Sequence, residues 1–174
     1  DAKLFDELPD FTLTQYRFLI GWLRTSVIGQ RTRVIGTGNP PQNEEGRWVH
    51  VYWAPWLDPN HPNPAKPAEL RWFIVDIDGK DQEVDGPRAV QVGDRWIKPR
   101  SRTFIRAGMH DNPHYVRTGY AAVLDSLPEP LRSQMRFGDF TAVPQDDAWQ
   151  VIPTDWILKA QARWRPDGHA GNPL

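Results

Sequence analysis

Cysteine is missing from all 174 residues, which excludes a disulfide framework and any thiolate-ligated zinc and fits a reducing cytosol. Net charge is almost missing too. With 21 Lys and Arg against 22 Asp and Glu, any basic surface for nucleic acid has to be local. No apolar run approaches the roughly 18 residues of a membrane span, and the acidic start DAKLFDEL lacks the layout of a signal peptide. Repeats and low-complexity tracts are absent. The chain opens without Met and inside what reads as the tail of a strand, KLF, as expected of a piece cut from a longer protein.

What is present is ordinary globular material, 39% hydrophobic and 25% charged, with unusually many tryptophans (nine) and prolines (seventeen). Leu13, Tyr16, Ile20, Leu23 and Val27 recur at helical spacing, and Thr12-x-x-Gln15 is a capping box, so a helix is expected from about Thr12 to Val27. Arg33 to Thr37 reads as a strand. Strand, helix, strand is half of a parallel α/β unit, in which ligands bind outside the carboxyl ends of the strands. Asp6-Glu7 and Thr37-Gly38-Asn39 would share that edge.

Further along, Gly46 to Trp53 reads as a short helix, followed by the proline-rich connection PWLDPNHPNPAKP. Leu70 to Ile77 is a strand, and DGKD is a turn, with Arg88–Val92 or Trp96–Lys98 expected as hairpin partners. Arg102 to Ala107 is another strand. From Asn112, a cap followed by Pro113, the pattern turns helical through Val116, Tyr120, Val123, Leu124 and Leu127. A second short helix runs from Pro128 to near Gly138. After the extended AWQVIP, Thr154 caps a last helix bearing Ile157, Ala160 and Trp164, and RPDGHAGNPL is a linker.

Two acidic residues after a strand offer a magnesium-anchoring Asp6 and a water-polarising Glu7, or simply a solvated pair. Asn39, after Gly38, offers an amide to a terminal phosphate, or only the geometry of an Asn-Pro-Pro turn. Arg100, Arg102 and Arg106 fall on one strand face with Phe104 between them and Arg95, Trp96 and Lys98 just upstream. That is either a candidate DNA surface or a solvated sheet face. His110 and His114 lack a third ligand, and the glycine of DIDGKD comes too early for a calcium loop.

LFDELPDFT, QYRFLIGWLRT and RVIGTGNPP together resemble the Walker B and coupling motifs of the large terminase subunit of tailed bacteriophages, the motor that packages DNA into proheads. SRTFIRAGMHDNPHY, LDSLPEPLRSQMRFGDF and WQVIPTDWILKAQARW are similar to its connecting region. The resemblance implies an α/β fold: the C-terminal part of a P-loop NTPase parallel sheet (residues 1–60), a β-hairpin region completing the ATPase domain (61–109), a small helical linker subdomain (110–165) and a linker toward a nuclease domain (166–174).

It further implies ATP and Mg²⁺ as cofactors, with Asp6 holding the metal and Glu7 as catalytic base. Asn39, with Thr37 and Gly38 at the nucleotide, would couple phosphate state to movement. Double-stranded DNA, the portal protein and the small terminase subunit are the implied partners of a homo-oligomeric ring in the host bacterial cytoplasm, away from any membrane. One departure is plain. No G-x-x-x-x-G-K-[ST] loop occurs, so these residues by themselves are not expected to hydrolyse ATP.

Two other readings stay open. Another nucleic-acid ATPase, such as a helicase, would carry further arginine-bearing motifs downstream. A non-catalytic, tryptophan-rich binding module, for carbohydrate as one example, would use Trp48, Trp53, Trp56 and Trp72 as an exposed platform, whereas the motor reading makes most of them packing residues.

Overall fold

The computed structural model describes residues 1–142, 151–152 and 154–164, and the chain divides into two compact units, Asp1–Val143 and Pro144–Leu174. In the first unit β1 (Ala2–Phe5) leads through a 3-10 turn (Leu8–Asp10) into α1 (Leu13–Gly21), and the chain returns as β2 (Arg33–Gly36). β1 and β2 pair in parallel, with Phe5 opposite Gly36. A parallel neighbour needs a crossover of a dozen residues or more, and α1 with its flanking loops supplies it. The expected strand, helix, strand unit is therefore present.

α1 starts where the capping box places it. Thr12 Oγ1 accepts the Gln15 amide at 3.2 Å and the Gln15 side chain accepts the Thr12 amide at 2.8 Å. It ends six residues short of the Val27 expected from periodicity. Beyond Leu23 the hydroxyl of Thr25 accepts the Val27 amide at 3.1 Å, a local bond that competes with helix continuation. Val27 and Ile28 consequently sit exposed in the loop, and not on a buried helical face.

The larger parallel sheet of a P-loop NTPase is not seen among the described residues. β1 and β2 form a sheet of two, and the other sheets are antiparallel. After α2 (Trp48–Tyr52) and α3 (Ala54–Leu57) come β3 (Arg71–Val75), β4 (Asp81–Val84), β5 (Val90–Val92), β6 (Arg95–Ile97) and β7 (Arg100–Arg102). β3 is central between β4 and β7, while β5 and β6 pair only with each other. Thus the DGKD turn is right and the expected partners are not: the hairpin closes on the polar strand DQEV. Asp76 Oδ1 shapes the turn by accepting the amides of Asp78 and Lys80 at 2.9 and 2.8 Å.

The helical run from Asn112 is broken. α4 (Pro113–Val116) and α5 (Tyr120–Asp125) are separated at Gly119, whose φ of 70° is left-handed, and α6 (Leu131–Phe137) ends at Gly138, also left-handed. Asn112 caps α4 through the His114 amide at 3.1 Å, as its sequence position implies. Of the apolar stripe expected there, Leu124 is buried, whereas Val116 and Val123 are exposed. In the second unit α7 spans Thr154–Arg163, with Ile157 and Trp164 exposed. Most of AWQVIP and the RPDGHAGNPL segment lie outside the described residues.

The core of the first unit gathers Phe5, Leu8, Tyr16 and Val49, with Phe11, Val34, Trp48, Tyr52 and Trp53 packed around them. Its rings meet edge-on or tilted: Phe5 and Phe11 at 5.4 Å between centroids, Tyr16 and Trp48 at 5.0 Å. Burial pushes the Tyr16 phenol well above its ordinary pKa, so this core holds it neutral. The opposite face of the parallel pair is uncovered. Leu4 and its register partner Ile35 are 75% and 51% exposed, although parallel strands are normally covered on both faces.

Candidate functional site

The two polar tips emerge side by side from the carboxyl ends of β1 and β2. The ladder continues past the strands, because the Thr37 amide donates to Phe5 O at 2.8 Å and the Leu8 amide to Thr37 O at 2.7 Å. Thr37 Oγ1 then donates to Asp6 Oδ1 at 2.7 Å, and the same carboxylate oxygen accepts the Glu7 amide at 3.2 Å. Glu7 Oε2 accepts the Asn39 amide at 3.4 Å. All five sequence-selected residues, Asp6, Glu7, Thr37, Gly38 and Asn39, are solvent-exposed within this one cluster.

Beneath them the chain is buried and stiff. Leu8, Pro9, Pro40 and Pro41 form an apolar floor, and two glycines let the backbones close on it. A Cβ at Gly38 would lie 2.6 Å from Pro9 Cδ and 3.1 Å from the Leu8 amide nitrogen. One at Gly46 would lie 2.5 Å from Pro9 O and 2.9 Å from Pro41 Cβ. Glu7 itself is left-handed at φ 48°, ψ 54°. For a residue with a Cβ that conformation costs about 1 kcal/mol or more, and such strain clusters at functional positions. The result is a pair of exposed carboxylates held by a hydroxyl and two backbone amides.

The arginine face is not one surface. β7 covers only Arg100 to Arg102, so Arg106 falls outside the strand. Arg102 is turned inward: it pairs with Asp81 at 2.6 Å, donates to Tyr52 O at 3.3 Å, and stacks its guanidinium 3.5 Å from the Tyr52 ring centroid and 4.3 Å from that of Phe73. Only Arg100 and Arg106 are exposed. Arg102→Met is therefore expected to lower unfolding free energy by about 1–2 kcal/mol in denaturant titrations, since it removes the bond to Tyr52 O and the ring stacking and leaves Asp81 only the longer pair with Arg17 at 3.7 Å. It is not expected to flatten any salt dependence of DNA binding.

Trp48, Trp53, Trp56 and Trp72 are all half-buried, which removes the exposed platform that a carbohydrate module would use. Trp48 Nε1 donates to Phe11 O at 2.6 Å and Trp53 Nε1 to Thr103 O at 3.1 Å, so two of the four are held by internal bonds. Among the described residues no group of three or more His, Asp or Glu is arranged to hold a metal, and His110 and His114 are no exception.

One residue next to the site escaped sequence reasoning. Gln134 on α6 is 2% exposed and donates to Pro41 O, two residues from Asn39, at 3.1 Å. Its only signal is a polar residue among the apolar positions of LRSQMRF, which pattern alone does not separate from a surface glutamine. No family model matches the chain, and no curated protein or solved structure is significantly similar to it.

Proposed function

We propose that this chain is the segment of a phage terminase large subunit that runs from the Walker B carboxylates through the linker subdomain, part of an ATP-driven motor for packaging double-stranded DNA. The reading rests on two parallel strand tips that bring Asp6 to Thr37 at 2.7 Å and Glu7 to Asn39 at 3.4 Å. Residues about thirty positions apart in sequence thus converge on one exposed point, as a site reading one phosphate group requires. The uncovered Leu4 and Ile35 face is also what a strand pair from a larger parallel sheet would present.

In this reading Asp6, with Thr37 beside it, offers the hard-oxygen donors that suit Mg²⁺, an ion usually bound by one or two carboxylates plus waters and phosphate. Bound Mg²⁺ and ATP supply the electrophilic phosphate and neutralise its charge. Glu7 takes the proton of the attacking water at its carboxylate, and the side-chain amide of Asn39 reads the terminal phosphate. The phosphate-cradling loop has to come from outside these residues, as do the portal and small-subunit contacts.

Asn39→Ala in the full-length subunit tests the assignment. DNA-stimulated ATPase and translocation are expected to fall by about tenfold or more while ATP affinity changes by less than about threefold. Equal losses in affinity and turnover would make Asn39 a binding residue and remove the coupling role.

A further inference from the structure

We infer that Gln134 is the positioning residue through which the Asn39 tip is tied to the helices that follow, so that phosphate occupancy at the tip is passed to α6 and α5; this rests on the nucleotide reading above. Among the described residues Gln134 is the one buried polar side chain besides the Tyr16 phenol, and both of its amide hydrogens have carbonyl partners, Pro41 O and Ala142 O, each at 3.1 Å. A leucine or methionine would fill that volume but would leave the Pro41 and Ala142 carbonyls without these donors, so the glutamine is more than filler. The bonds instead fix where the tip segment sits against α6.

The path on either side is short and stiff. Asn39 is joined to Pro41 through Pro40, and two successive prolines with fixed φ leave little slack between the phosphate-reading amide and the carbonyl that Gln134 holds. Pro41 in turn packs against Gly46 beside Pro9, within the turn that begins at Glu7. The neighbouring Gln42 Nε2 reaches Met135 Sδ at 3.8 Å. Beyond Gln134, Arg136 binds α5 twice, donating to Ala121 O at 2.9 Å and pairing with Asp125 at 2.8 Å. A displacement of Asn39 is thereby delivered to two helices.

Two measurements separate this link from the reading it rests on. In the 174-residue chain, Asn39→Ala is expected to shift the amide resonances of Arg132 to Phe137. In a Gln134→Met background, which keeps volume and removes both donors, those shifts should be at least about threefold smaller. Gln134→Glu supplies at most one donor, and only when protonated, so transmission should be restored in part at low pH and lost as the carboxyl ionises, with the rest of the amide spectrum followed at each pH to show that the fold is retained.

In the full-length subunit Gln134→Met is expected to leave KM for ATP within about twofold and to lower DNA-stimulated kcat by about tenfold. Equal shifts in both backgrounds, or an unchanged kcat, would overturn the link. If the unsubstituted full-length subunit has no ATPase, the nucleotide reading fails, and the resonance experiment alone decides whether Gln134 transmits.

Discussion

Glu7→Gln in the full-length subunit is expected to lower ATP hydrolysis by about a thousandfold while ATP affinity stays within about twofold, because it removes a general base and little else. Glutamine keeps the length and shape of the side chain and retains one acceptor oxygen for the Asn39 amide, which Glu7 Oε2 now accepts at 3.4 Å. The left-handed backbone at φ 48° is no worse for glutamine than for glutamate, so the tip geometry should survive. What goes is the ability to accept a proton from water. Single-turnover hydrolysis alongside equilibrium nucleotide binding reads both quantities. A parallel loss of binding would mean that Glu7 holds the tip together and carries no chemistry.

The site was legible in the sequence because its evidence is local. Acidic residues directly after KLF and a Gly-Asn-Pro-Pro break after RVIGT both mark strand ends, and a helix between them fixes the strands as parallel neighbours. The convergence of Asp6-Glu7 with Thr37-Gly38-Asn39 follows from that topology alone. Side-chain direction on β7 did not follow. Arg100 and Arg102 have the same spacing on paper, yet Asp81 and the Tyr52 ring draw Arg102 inward, and neither partner is local in sequence.

Strand pairing failed for a related reason. RWFIV pairs with the polar segment DQEV, and not with Arg88–Val92 or Trp96–Lys98. Ion pairs do part of the work that burial would do elsewhere: Glu83 meets Arg71 at 2.8 Å, and Asp81 meets Arg102 at 2.6 Å and Arg17 at 3.7 Å. Apolar periodicity cannot report such pairs. Helix length was overestimated by the same logic, since Leu23 and Val27 keep the period while the Thr25 hydroxyl takes the backbone elsewhere.

Gly38→Ala is expected to cost about 3 kcal/mol of unfolding free energy, a large effect for the addition of one methyl group. The new Cβ would stand 2.6 Å from Pro9 Cδ, 3.1 Å from the Leu8 amide nitrogen and 3.3 Å from Glu7 Cα. A proline ring and two backbone atoms cannot turn aside as the end of a flexible side chain can, so relief requires the two tips to part. Parting them lengthens the Asp6–Thr37 and Glu7–Asn39 contacts, and the same substitution should therefore loosen the site as well as the fold. Gly21→Ala is the matched control. It adds the same methyl at the end of α1 with nothing within 4 Å, and is expected to be neutral or to stabilise by up to about 1 kcal/mol through helix propensity. Urea titrations of the two variants, read at equal slope, compare them directly. A Gly38→Ala cost no larger than that of Gly21→Ala would show that the tips are not pressed together in solution, and the site geometry built on their contact would go with it.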